Sequence, residues 1–204
     1  LRVRDAGITE QHKDILAELA NIGTGNAATA LSQMLDHEKI LLEVPEVNIS
    51  PLQHVPESLG DPGQKIAAIM MEAACDELEL TILLALPLPA TLSLIDQLLP
   101  EGLEPLGEMG RSLLMELGNI LTGSYLNALS DMTGLTFTLS PPGLGLDMAG
   151  ALLGSVIADK AMLEDSFILI KTTMHILSRE VEGNLLLLPS AGSLHKILAR
   201  LGAQ

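Results

Sequence analysis

From Asp14 the chain reads DILAELANIGTGNAATALSQM, and its apolar residues Ile15, Leu16, Leu19, Ile22, Ala27, Ala30, Leu31 and Met34 recur at the spacing of one helical stripe. The opposite side carries Asp14, Glu18 and Asn21. A similar stripe returns in SLLMELGNILTGSYLNALSDM, from Ser112. After the first copy, KILLEVPEVNIS, KIAAIMMEAA and ELELTILLALP read as strands and PATLSLIDQLL as a helix. After the second come GLTFTLSPP, a helical DMAGALLGSVIADKAML, two strands near SFILIKTTMHIL and NLLLLPS, and a closing helix in SLHKILARLG.

The two long segments align without a gap at an offset of 98 residues. Leu16, Glu18, Leu19, Asn21, Ile22, Thr24, Gly25, Ala30, Leu31, Ser32 and Met34 then meet identical residues. An amphipathic pattern alone repeats the leucines and has no reason to repeat Glu, Asn and Thr-Gly as well. The chain therefore divides into two repeated halves, 8–99 and 107–204, joined by the Pro/Gly linker PEGLEPLG at 100–107. Each half has too few strands and helices to cover a face. The predicted class is α+β, a two-layer α/β arrangement in which two pseudo-symmetric helix-strand-strand-strand-helix halves share one sheet as a single domain over 1–204, with the long helices on its outside.

Gly23-x-Gly25-x-x-Ala28 also fits the glycine fingerprint of a dinucleotide-binding turn, with Glu43 where a ribose-binding carboxylate belongs. That turn needs a strand before Gly23, and the stripe there is helical. The second copy has Leu121 in place of the first glycine, which such a turn does not accept. Within a helix, Glu and Asn three apart are surface neighbours, with about 5–6 Å between Cβ atoms. Close helix packing accounts for Gly25 and Gly123, but not for an exposed asparagine.

Composition narrows the chemistry. A chain of 204 residues can bury about 70% of its extended surface. It is 48% hydrophobic, but no apolar run reaches the roughly 18 residues of a membrane span. The opening LRVRDAGITEQ lacks the apolar core of a secretory signal, so a cytoplasmic location without membrane insertion is expected. A net charge of −15, with one Tyr, two Phe and no Trp, leaves neither a basic face nor a stacking platform for nucleic acid. Cys75 follows an apolar run and reads as a packed thiol in a buried strand. His12, His37, His54, His175 and His195 are scattered without metal-ligand spacing, so no metal of its own is expected. No G-x-S-x-G elbow is present.

The paired segments resemble the CheC family of CheY-phosphate phosphatases, which includes CheX and FliY. The family motif is Asp or Ser, three residues, Glu, two residues, Asn, twenty-two residues, Pro. Ser112, Glu116, Asn119 and Pro142 fit it throughout. Asp14, Glu18 and Asn21 fit it too, but Pro45 stands one residue late, which an insertion near 36–39 would explain. Length and two intact motifs are most similar to the CheC subgroup.

The resemblance implies a chemotaxis phosphatase that hydrolyses the aspartyl phosphate of a CheY-type receiver, an acyl-phosphate hydrolysis. It implies Glu18, Asn21, Glu116 and Asn119 as catalytic residues, with Asp14, Ser112, Pro45 and Pro142 in support. The receiver is expected to bring the divalent metal (Mg) and a lysine, so the phosphatase need only position groups. An amide both donates and accepts hydrogen bonds, which suits Asn to orienting water, and Glu can pair with a receiver cation. The family also pairs with the deamidase CheD, for which the resemblance implies a contact at Asp147; capping the helix it begins is the structural alternative, compatible with that contact. The alternative is a non-catalytic binder of phosphorylated receiver or CheD, or a FliY-like flagellar-switch component.

Overall fold

The computed structural model describes residues 9–159, 166–176 and 179–202. Helix α1 (Glu10–Met34) runs unbroken through NIGTGN, which excludes a dinucleotide-binding turn there. Its start is fixed by a capping box. Thr9 Oγ1 accepts from the His12 amide at 3.3 Å, and His12 Nδ1 accepts from the Thr9 amide at 3.0 Å, so exposed first-turn amides find partners. The counterpart α4 (Glu108–Thr133) starts after Gly107 and stops at Gly134, whose φ of 71° is the left-handed stop that glycine adopts without strain.

The strands are β1 (Ile40–Pro51), β2 (Lys65–Ala74), β3 (Glu79–Pro87), β4 (Thr138–Leu139), β5 (Gly143–Met148), β6 (Ser166–Ile176) and β7 (Arg179–Pro189). They form one antiparallel sheet in the order β1-β6-β7-β3-β2, with β4 and β5 both on the outer edge of β2. Because β2 corresponds to β6 and β3 to β7 in the two halves, the order reads alike from both edges, with β3 and β7 at the centre. The first strand of each half lies beyond the second strand of the other: β1 pairs with β6, and β4 and β5 with β2. Neither half closes this sheet alone.

Alternation along β2 divides the core. Ala67, Ile69 and Ala73 join α1, α3 (Leu88–Leu98), α4 and α6 (Ser193–Arg200) on one face. Ile66 and Ala68 join a smaller cluster under α2 (Val55–Ser58) and α5 (Ala149–Asp159) on the other. Cover on both faces is why β3 is buried from Leu80 to Leu86 rather than alternating. The sequence pattern missed α2 and β5. It placed a helix from Asp147, whereas α5 begins at Ala149 and Asp147 lies in β5 opposite Ile66; 160–163 of that predicted helix lie outside the described residues. Cys75 sits just past β2, half-buried in the turn, where its amide donates to Leu78 O at 2.9 Å.

The late Pro45 has a local cause. Ile40 and Thr138, which open the next strands, both stand six places after the matched Met34 and Met132, so residues 36–39 hold no surplus. The surplus is in β1. Glu43 faces Thr173 and Glu46 faces Lys171, which leaves Val44 and Pro45 opposite one residue, a β-bulge. Beside it Glu46 pairs with Lys171 and accepts from Asn48; these hydrogen bonds, Lys171's first, hold its carboxyl below the usual carboxylate range.

Candidate active site

Two rows of side chains stand out on the long helices. On α1 the buried residues are Leu16, Leu19, Ala20, Gly23, Thr24, Ala27 and Leu31. Burying that side turns Asp14, Glu18 and Asn21 outward, and all three are exposed. Ile22, which the periodicity assigned to the packed stripe, is 36% exposed beside Asn21. On α4 the buried set includes Leu114, Leu117, Gly118, Leu121, Thr122 and Tyr125; Ser112 and Glu116 are exposed and Asn119 is half-buried.

Two close approaches determine how these helices sit. A Cβ on Gly23 would come 2.6 Å from Tyr125 Cδ1, and one on Gly118 would come 2.8 Å from Ile69 Cγ2. Here α1 meets α4 and α4 meets β2 almost backbone to side chain. These are the packing glycines of the motif helices. The assignment of Gly25 and Gly123 to close packing is wrong, because among the described residues nothing beyond the helix's own neighbouring backbone lies within 4 Å of a Cβ built at either.

Among the described residues, Asp14, Glu18, Asn21, Ser112, Glu116 and Asn119 make no side-chain hydrogen bond or ion pair. A carboxylate and a carboxamide, neighbours on a helix by their spacing, are thus displayed twice with their hydrogen-bonding capacity unspent. The prolines lie off the helices. Pro45 is in the β1 bulge, on the strand that α1 packs against. Pro142 is half-buried between β4 and β5, and its loop is tied to β2 where the Ser140 amide donates to Glu72 O at 2.8 Å and the Glu72 amide donates to Ser140 Oγ at 2.9 Å.

The sequence model of the CheC-like family matches residues 12–49 and 109–146, once on each motif helix and the strands after it. The chain is also 34% identical, over 97% of its length and 97% of the relative's, to the CheY-P phosphatase CheC of Bacillus subtilis. The chain belongs to the CheC-like family. In fold it is similar to FliY of Thermotoga maritima, with a TM-score of 0.73 at 21% identity over 97% of this chain and 98% of that one. A chain of the CheX-CheY-BeF3-Mg+2 complex from Borrelia burgdorferi aligns at a TM-score of 0.50 and 18% identity, covering 84% and 96%. In this CheC-like chain the matched stretches contain Asp14, Glu18, Asn21 and Pro45, and Ser112, Glu116, Asn119 and Pro142.

Asp147 is exposed at the strand edge, and its Oδ1 accepts from the Met148 amide at 2.8 Å. It does not cap α5. The amides of Ala149 and Gly150 donate instead to Gln64 O and Pro62 O, at 2.9 and 2.8 Å. Among the described residues no helix is long and apolar enough to cross a membrane.

Proposed function

We propose that the protein is a phosphatase for the aspartyl phosphate of a CheY-type receiver, working at two sites formed by Glu18 with Asn21 and Glu116 with Asn119. One observation carries this reading. In a CheC-like chain, a Glu/Asn pair with no side-chain partner among the described residues recurs in register on two helices, exposed on α1 and with Asn119 half-buried on α4.

The step asks little of the enzyme. Water attacks phosphorus in line with the acyl oxygen; the new P–O bond forms as the bond to the aspartyl oxygen breaks. The receiver carboxylate leaves with the electron pair, and both water protons remain on the phosphate product. Catalysis is then position and charge. Asn21 or Asn119 orients the water, its amide oxygen accepting from the water and its NH₂ reaching a phosphoryl oxygen. An amide is no strong base at neutral pH, so it holds the nucleophile without deprotonating it.

Glu18 and Glu116 lack a cation among the described residues and would take one from the receiver, its active-site lysine, fixing the angle at which the amide enters. The divalent ion, Mg²⁺, belongs to the receiver. Asp14 and Ser112, one turn before each Glu, support the docked pose, and Pro45 and Pro142 shape the strands beside the helices. CheD is a second proposed partner, docking at exposed Asp147 and Met148 on β5; a charge reversal, Asp147→Lys, followed by a pull-down tests it.

The lifetime of the acyl phosphate on a phosphorylated CheY-type receiver, with and without this protein, tests the reading. Shortening with turnover, less than one protein per phosphate released, supports it. Capture of the phosphorylated receiver at unchanged lifetime identifies a binder instead.

A further inference from the structure

Gly25 and Gly123 occupy the same register in the two halves, one turn beyond Asn21 and Asn119 and two beyond Glu18 and Glu116. Neither has a left-handed φ, and beyond the helix's own neighbouring backbone no atom of the described residues lies within 4 Å of where a Cβ would stand. Mid-helix glycine is about 1 kcal/mol less favourable than alanine. Conformation and internal packing, the two usual reasons for tolerating it, are therefore both missing here, twice. Gly23 and Gly118 show the contrast: their glycines are required by Tyr125 and Ile69. The Gly25 carbonyl even retains a second donor, Thr29 Oγ1 at 3.0 Å, so bare backbone is exposed with its acceptor satisfied.

We propose that Gly25 and Gly123 are the floor on which a main-chain segment of the phosphorylated receiver settles, and that they set how deeply the neighbouring asparagine reaches. This rests on the phosphatase reading and deepens it. At a glycine a partner can come nearer the helix by about 1.5 Å, a carbon–carbon bond length, than where a Cβ stands. Glu, Asn and Gly at i, i+3 and i+7 lie along one face, so contact at the glycine fixes the approach at the asparagine one turn away. Adding a methyl takes that clearance away, and a misplacement of about 1 Å can already reduce turnover about 100-fold.

The experiment is the double variant Gly25→Ala/Gly123→Ala, with Gly154→Ala as control. Gly154 is exposed like Gly25, whereas Gly123 is half-buried, and it too is open around its Cβ, but it lies on α5, on the other face of the sheet. Both proteins should melt about 2–4 °C higher per substitution, from helix propensity. Only the double variant should lose phosphate release, chiefly in kcat, by about 100-fold. Wild-type rates with the raised melting point would overturn the proposal while leaving the Glu/Asn mechanism intact. A lowered melting point would also overturn it, by showing that the glycines serve the fold. Failure of the wild-type protein to release phosphate sinks the phosphatase reading itself, and is read before any variant is made.

Discussion

The hydroxyl of Thr24 lies 2.9 Å from that of Tyr125, joining α1 to α4 beneath the exposed rows. Thr24 also donates to Ala20 O at 2.7 Å, and Tyr125 reaches Thr172 on β6 at 3.2 Å. The arrangement is one-sided. Thr122, the counterpart of Thr24, is fully buried with no partner for Oγ1 among the described residues, because Ala27 stands where a second tyrosine would be.

Opposite signs should follow at these paired threonines. Thr24→Val strands the Tyr125 hydroxyl's nearer partner position and should destabilise by about 1–2 kcal/mol, whereas Thr122→Val removes an unmatched polar atom and should stabilise by about 1 kcal/mol. Urea unfolding midpoints measure both, and equal signs would contradict the assignment.

Tyr125 is the only tyrosine, so its titration can be followed directly by tyrosinate absorbance. Burial raises its phenol above the usual value, against the opposing hydrogen bonds from Thr172 and Thr24. A folded pKa above the unfolded one means that the unfolded state releases the proton first. The stabilisation is therefore whole below about pH 10 and is lost as pH climbs toward the folded value. Tyr125→Phe should remove that alkaline component of the stability curve, and native absorbance should rise only above the midpoint seen in denaturant.

Gly23→Ala and Gly118→Ala should each destabilise by about 1–3 kcal/mol, because the added methyl overlaps Tyr125 or Ile69 in a filled core. Thermal melts of the two variants check this. Either protein melting at or above the wild-type temperature would mean that the helices have room the structure does not show.

Replacing Glu18 and Glu116 with Gln keeps size and removes charge. If these carboxylates bind a receiver cation equally before and during reaction, KM rises and kcat changes little. Steady-state phosphate release measures the split, and a collapse of kcat at unchanged KM would give the carboxylates a direct role in the chemistry.

Much of this was readable from periodicity. The 98-residue repeat, the exposed side of both long helices, and strands β1, β2, β3, β6 and β7 all follow from apolar spacing that solvent and sheet enforce locally. What escaped depends on distant partners. Gly143-Leu-Gly-Leu receives no element from the sequence pattern because its strand identity comes from pairing with β2, more than seventy residues earlier. Close packing falls on Gly23 and Gly118 rather than on Gly25 and Gly123 because a stripe shows which side is buried but not where a neighbour comes closest. The bulge at Pro45 shows only against β6. At the candidate site the exposure of Asp14, Glu18, Asn21, Ser112 and Glu116 was legible; the contrast between a half-buried Asn119 and an exposed Asn21 was not.

The most direct measurement is phosphate release from a phosphorylated CheY-type receiver by Asn21→Ala/Asn119→Ala, with each single variant alongside. The double variant is predicted to release phosphate no faster than the receiver alone while keeping the wild-type unfolding midpoint, and each single variant should retain about half the rate if the two sites act independently. Wild-type turnover by the double variant would contradict the account outright.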